Sequence, residues 1–299
     1  MQNIQTINTF CSRISENVLQ PHVISIFRKC LYVFLLLNTL VLLPIASQIW
    51  GPDAYTIAYY QPNHWIVKVF YLLQEASVGK YYMLFIAGQI ITIVLSFLLK
   101  NYQRLFSILI YFFTINLYNK SGLLQNSGSN LVVIILFYLI FMNEKAGEGQ
   151  EKTSRWKIAD ITFTNLAFVA ARIQVVFLYL VAGIYKLKGE HWLDGTALYY
   201  VFSIPEFSHP IIFNRITGSS FLVVLGTYLT LVFQLAFPIL VWFRKTKNTM
   251  FVLGTFFHLG IAFLLGIPDF GFAMIIMYLL FYYDEQAKRI TDNFKIFRT

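Results

Sequence analysis

The chain alternates between long apolar runs and short polar turns, and the runs have the length of membrane-crossing helices rather than of strands. About eight of them approach the ~20 residues that a helix needs to cross a hydrocarbon core. They lie near 30–49, 81–99, 104–118, 130–142, 161–186, 220–243, 249–266 and 271–283. Residues 1–24 are polar but carry Ile4, Ile7, Phe10, Ile14 and Val18 at helical spacing. They are expected to form an amphipathic segment lying on the membrane surface. Between the first two runs, Trp65, Phe70, Tyr71 and Leu72 surround Lys68 behind Asn63. This predicts an interfacial helix of about ten residues with Asn63 as its N-cap. The most polar stretch is 143–158, and a long loop is expected from the end of the fifth run to about 219. Inside the sixth run, Gln234 and Pro238 predict a kink with a compensating hydrogen bond. The expected fold is all-α, a polytopic transmembrane helical bundle built as one integral-membrane domain over 1–299.

Composition agrees with this class. Hydrophobic residues make up 58% of the chain and charged residues 12%, about half the charged fraction usual in soluble domains. The net charge of +9 could suggest nucleic acid, but its distribution gives another explanation. An even number of spans puts both termini on one side. That side holds most of the cations, among them Arg13, Arg28, Lys29, Lys100, Arg104, Lys152, Arg155, Arg244 and Lys245, and the tail 284–299 is basic. The other side holds Lys68, Lys80, Lys120, Lys186, Lys188 and Arg215. Excess Lys and Arg marks the cytoplasmic face, so the expectation is N-in/C-in in a cell inner (plasma) membrane. Membrane lipids are the expected partners of the basic face, and nucleic acid is not. Cys11 and Cys30 both fall on the inner side, where a structural disulfide is not expected.

The fifth run holds the chemistry. Arg172 lies roughly 16 Å along it, near the middle of a hydrocarbon core about 30 Å thick, and Lys186 about 21 Å further on. At about 100° per residue, this separation returns to nearly the same direction, so both cations share one helix face with Tyr179 and Gly183. A cation in the bilayer must face protein or water, which turns this stripe inward. Arg172 is expected to pair with a carbonyl, with Tyr179 or with the polar head of a ligand. Lys186 has two readings. It snorkels to the interface beside Tyr185 and Trp192, or it is a partly desolvated amine that accepts a proton. Glu190 and Asp194 would oppose the second if they lie close. His258, central in the seventh run beside Gly254, Thr255 and Ala262, is either a hydrogen-bonded helix–helix contact or a catalyst. A metal site is not expected, because no further intramembrane His, Asp or Glu accompanies it.

The stretch QVVFLYLVAGIYKLKGEHWLDG (174–195) resembles the motif of the HTTM membrane family, which includes vitamin K-dependent gamma-carboxylases. The matching features are Tyr179, Ala182, Gly183, Lys186, Leu187, Trp192 and Gly195. The stretch 257–282 is similar to the family's His-bearing helix, turn and last helix, and 123–141 looks like the middle of the same domain. The resemblance implies that Lys186 is the base that deprotonates a reduced quinone of the vitamin K type, in carboxylase- or epoxidase-like chemistry. It implies His258 as a second catalytic residue, with Arg172, Tyr179, Gly183, Tyr185 and Trp192 binding the ligand. Tyr185 stands where the carboxylases often carry a second lysine. The carboxylases continue into a large lumenal domain, whereas this chain ends soon after its last run and is nearer in size to the sporulation-delaying protein B type. That likeness implies the alternative: a non-catalytic factor for maturation or export of a secreted peptide, with the outer loop as docking surface or with a second membrane subunit as partner. A transporter is disfavoured by the absence of an inverted repeat.

Overall fold

A computed structural model of the chain describes residues 15–52, 54, 65–147, 154–207 and 210–293. Among these residues the regular structure is helical and no strand occurs. The helices, in order, are α1 Pro21–Leu42, α2 Ala46–Trp50, α3 Trp65–Leu98, α4 Gln103–Lys120, α5 Ser127–Phe141 and α6 Arg155–Lys186. They continue with α7 Glu190–Leu193, α8 Ala197–Ser203, α9 Pro210–Thr217, α10 Ser220–Leu240, α11 Arg244–Leu264, α12 Pro268–Met277 and α13 Asp284–Asn293. Among the described residues, five stretches are long and apolar enough to cross a membrane: Pro21–Trp50, Val78–Leu98, Arg155–Lys186, Ser220–Leu240 and Arg244–Leu264. Ser127–Phe141 and Pro268–Phe281 are shorter apolar helices.

Residues 171–281 form one compact unit, and the described residues before 171 form another with those from 282 onward. In the latter, α1 begins much earlier than its apolar run, so Arg28 and Lys29 lie within the helix and not ahead of it. Pro21 fits the first turn because its fixed φ is already helical and no N–H is needed there. The free N–H groups of His22 and Val23 donate to Asp284 Oδ1 at 2.7 and 3.1 Å. A carboxylate from the far end of the chain therefore caps this helix, and its charge suits the helix dipole. The basic tail is accordingly ordered at its start: α13 packs on α1 and buries Ala287. The first 14 residues of the amphipathic segment lie outside the described residues, as do Asn63 and residues 148–153 of the polar stretch 143–158.

The expected interfacial helix and second span meet at a kink. α3 is two helices joined at Tyr81, whose φ of −115° and ψ of 23° are non-helical, and the first of them, from Trp65, is longer than the ten residues expected. Ala46, Trp50, Val78, Ile86 and Leu117 form a buried cluster there, and Trp50 Nε1 donates to the Leu117 carbonyl at 2.9 Å. α5 starts where its capping box dictates. Asn126 accepts from Gly128 and Ser129 N–H, and the Ser129 hydroxyl accepts from Asn126 N–H.

In the unit 171–281, the long outer loop is instead a string of short helices, α7 to α9, with a further 3₁₀ turn at Pro205–Phe207. They are tied to α10 by backbone and side chain: Leu198 N–H donates to Thr227 Oγ1 (3.1 Å) and Tyr228 donates to the Leu193 carbonyl (2.8 Å). Gly195 sits at φ +82° against Tyr228 and Val224, a left-handed conformation that glycine adopts without strain. α10 continues through Pro238 to Leu240. The compensating bond expected there is not made by Gln234 Oε1, which is buried without a partner.

Candidate functional site

The second half of α6 carries the polar stripe, and its members are Arg172, Tyr179, Gly183 and Lys186. Seven residues turn an α-helix almost twice, so Arg172, Tyr179 and Lys186 stand one above another roughly 10 Å apart. Each meets a different neighbour.

Arg172 closes the end of α12. That helix tightens into a 3₁₀ turn at Tyr278–Phe281, leaving its last carbonyls without intrahelical donors. Arg172 Nε donates to the Leu280 carbonyl at 2.8 Å, and Lys247 Nζ donates to the Phe281 carbonyl at 3.0 Å. The Arg172 guanidinium also lies over the rings of Trp242 (5.8 Å) and Phe281 (5.4 Å). Two cations at the negative end of a helix dipole are favourably placed. This is the carbonyl pairing expected for Arg172. Lys247 belongs to the same arrangement and was not singled out by the sequence, since nothing local distinguishes it from the cations around it.

Tyr179 is fully buried and anchors the centre. Its hydroxyl lies 2.5 Å from His258 Nε2 and 2.7 Å from the Tyr278 hydroxyl. A phenol has one proton to give and two lone pairs, so Tyr179 donates to one partner and accepts from the other. Its ring packs on Phe237 (4.2 Å between centroids) and edge-on to Phe233. His258 is 1% exposed and sits among Phe257, Phe270 and Tyr278. Its Nδ1 has no hydrogen-bond partner. In either neutral tautomer, one buried ring nitrogen is thus left unsatisfied. Gly254 brings α11 against this chain: a Cβ at that position would strike the Tyr278 hydroxyl and the Phe233 ring. The structure therefore joins Tyr179 to His258, and adds Tyr278. Tyr278 escaped the sequence reading because it lies on a different helix and no local spacing links it to His258.

Gly183 lets α6 approach α10, since a Cβ there would meet the Leu235 side chain. Lys186 ends α6, about two helix turns beyond Tyr179. Its ammonium stands over the Trp192 ring, 5.0 Å from the centroid, and is half-buried. No carboxylate among the described residues forms an ion pair with it. Tyr185 is 68% exposed and receives Lys188 over its own ring instead. Glu190 and Asp194, the two acids that could have held Lys186, are exposed. Asp194 accepts from Thr196 N–H and Oγ1 at 2.9 and 2.6 Å, which holds its carboxyl below the usual range.

The comparisons with known proteins agree with the family resemblance. The HTTM domain matches residues 24–285, from the start of α1 into α13. The sporulation-delaying protein SdpB of Bacillus subtilis (strain 168) is 26% identical over 244 residues, covering 77% of this chain and 72% of that protein. The uncharacterized protein YitO of the same organism is 31% identical over 121 residues, covering 38% of this chain and 39% of its own length. No solved structure gives a significant match. The helical build, the membrane-length apolar helices and a match over nearly the whole chain have one explanation: the chain belongs to the HTTM domain family of membrane proteins.

Proposed function

We propose that this HTTM membrane protein uses Lys186 as an outward-facing base toward an apolar, ring-bearing lipid, a reduced quinone of the vitamin K class or a related isoprenoid. One observation carries the reading: the Lys186 amine rests on the Trp192 ring and has no carboxylate partner among the described residues. A lysine engaged by a carboxylate is fixed as ammonium. One without such a partner is not held in the charged form and, once neutral, can accept a proton. The residues fit such a ligand, because Trp192 offers a ring face beside the amine and Tyr185, the preceding residue, is exposed. A bound quinol would supply phenolic O–H groups and reducing equivalents. Lys186 would accept the phenolic proton, Trp192 would set the ring's position, and the chain of Tyr179, His258 and Tyr278 would hold α6, α11 and α12 in place behind it. In this reading both termini are cytoplasmic, and the protein crosses the plasma membrane with Lys186 at its outer surface.

The test is Lys186→Arg in full-length protein. Arginine keeps the charge and the ring contact but stays protonated. Binding of a reduced naphthoquinone with an isoprenoid tail would be measured in nanodiscs, alongside the absorbance of the bound quinolate and the phenotype of the gene's deletion. The expected result is normal membrane level with lost quinolate formation and lost complementation. Full complementation by Lys186→Arg would end the catalytic reading.

A second reading is favoured by the exposed side chains of the short-helix segment, Leu193, Tyr199, Tyr200, Ile204 and Ile211, and by similarity to a sporulation-delaying protein. Here the protein is a non-catalytic factor in the maturation or export of a secreted peptide, with this segment as the docking surface and a second membrane subunit as a possible co-worker.

A further inference from the structure

A different feature lies among the described residues before 171, away from the polar stripe. A cleft of about 50 Å³ is lined by Ser25, Arg28, Lys29, Lys100, Gln103, Glu144 and Lys145, with Tyr32, Ser96 and Phe97. This exceeds several times the ~10–15 Å³ that one water needs. Four cations and one carboxylate share the lining, and the carboxylate is already engaged: Arg28 donates to Glu144 Oε2 at 3.2 Å. Arg28 is 1% exposed. Its terminal nitrogens also donate to Ser107 Oγ (2.5 Å) and to the carbonyls of Met142 (2.5 Å) and Leu139 (3.4 Å). Its Nε–H, equally buried, has no acceptor. A buried charged donor left unpaired is unfavourable until an acceptor arrives.

We propose that this cleft binds a phosphate group, the headgroup phosphate of an anionic phospholipid. The unpaired Nε–H of buried Arg28 and the ammonium groups of Lys29, Lys100 and Lys145 line one small cleft, and together they suit a phosphate oxyanion in charge. The place in the fold favours the lipid source. The lining comes from the first turns of α1, the last turn of α3, the start of α4 and the turn after α5. Those are helix ends, which in a membrane-spanning chain lie at headgroup depth. Leu98, Leu99 and Tyr102 flank Lys100 with 69%, 46% and 59% of their surface exposed, an apolar border suited to acyl chains. Ser107, a partner of Arg28, is shared with the Tyr32 hydroxyl at 2.8 Å, so the guanidinium is held in one position for its ligand.

The test uses the full chain and a variant in the two exposed lysines, Lys100→Ala with Lys145→Ala, which leaves the buried Arg28 network intact. A paired control, Lys188→Ala with Lys245→Ala, removes the same charge elsewhere. Native mass spectrometry from nanodiscs of phosphatidylglycerol in phosphatidylcholine would count retained lipid. Titration of inorganic phosphate would use nanodiscs of phosphatidylcholine alone. Each lysine at an anionic surface is worth about fivefold in affinity, so the double variant is expected to lose about 30-fold and the control little. Phosphatidylglycerol retained by the wild type, lost in the variant, and without phosphate binding supports the lipid headgroup. Saturable phosphate binding with the same loss supports the site with a soluble phosphate as its occupant. The proposal is overturned if phosphatidylglycerol is retained no better than phosphatidylcholine and phosphate does not bind. It is overturned equally if the variant and the control behave alike.

Discussion

Tyr179→Phe removes a single oxygen atom from the middle of the unit 171–281, and its cost can be worked from the contacts. The phenylalanine ring keeps the packing on Phe237 and Phe233, so no cavity of consequence opens. Two hydrogen bonds disappear, to His258 Nε2 and to the Tyr278 hydroxyl. Side-chain hydrogen bonds between membrane helices are worth ~0.6 kcal/mol on average and up to ~1.7. Both partners here are buried and His258 Nδ1 has no second partner to fall back on, so the upper part of the range applies. The expected loss is about 2–3 kcal/mol. Tyr278→Phe removes only the shared bond and is expected to lose about 1 kcal/mol. The double variant should lose no more than Tyr179→Phe alone, because the bond between the two hydroxyls can be broken once. The assay is reversible unfolding in mixed detergent micelles, with Tyr185→Phe as the exposed control. If Tyr179→Phe unfolds with Tyr185→Phe, or if the two core variants add fully, the hydroxyl–imidazole chain does not hold these helices together.

Three further outcomes follow from single contacts. Asp284→Ala uncaps α1 by removing the acceptor of His22 and Val23 N–H and is expected to cost about 1 kcal/mol, with Asp284→Asn recovering part of it, as read by the same unfolding assay. Gly254→Ala drives a methyl group into Tyr278 and Phe233 and should cost about 1–3 kcal/mol, whereas Gly260→Ala, with no close neighbour, should cost little. Single cysteines at Lys145 and at Lys188, in a protein lacking Cys11 and Cys30, should separate under an impermeant thiol reagent applied to intact cells. Position 188 should label and position 145 should not; the reverse would overturn the proposed orientation.

The helices themselves were legible because membrane length and apolar runs are properties of contiguous sequence. Their ends were less so. α1 extends back to Pro21 because Asp284, far along the chain, supplies its cap, and no window of residues around Pro21 contains that information. The stretch after Lys186 read as a loop because α7, α8 and α9 are too short to show a helical period, and α7 and α8 are held by bonds to α10. Within the site, the alignment of Arg172, Tyr179 and Lys186 followed from helical geometry alone. What each one touches did not. Tyr278, Lys247 and the depth of Arg28 depend on helices meeting across the sequence. A lysine or arginine beside an apolar run looks the same whether it faces water or, like Arg28, is enclosed by carbonyls.

The stripe on α6 also shows why one of its members is the better candidate for chemistry. Arg172 is committed: its Nε bonds a helix-end carbonyl and its plane lies over two rings, so moving it would uncover the end of α12. Tyr179 is committed as well, since it supplies the only oxygen that reaches both His258 Nε2 and Tyr278 among the described residues. Gly183 contributes an absence of side chain that lets α10 come close. Each of these is satisfied by the fold itself, and a ligand would have to break a bond to use it. Lys186 differs in kind. It is half-buried, lies on an aromatic face and has no carboxylate holding it among the described residues. A fold that needed only an interfacial anchor could have used the acids beside it, Glu190 and Asp194, to fix that amine. Asp194 bonds Thr196 instead. The residues below Lys186 thus fix the helix, while the amine at its end is left without a carboxylate partner among the described residues.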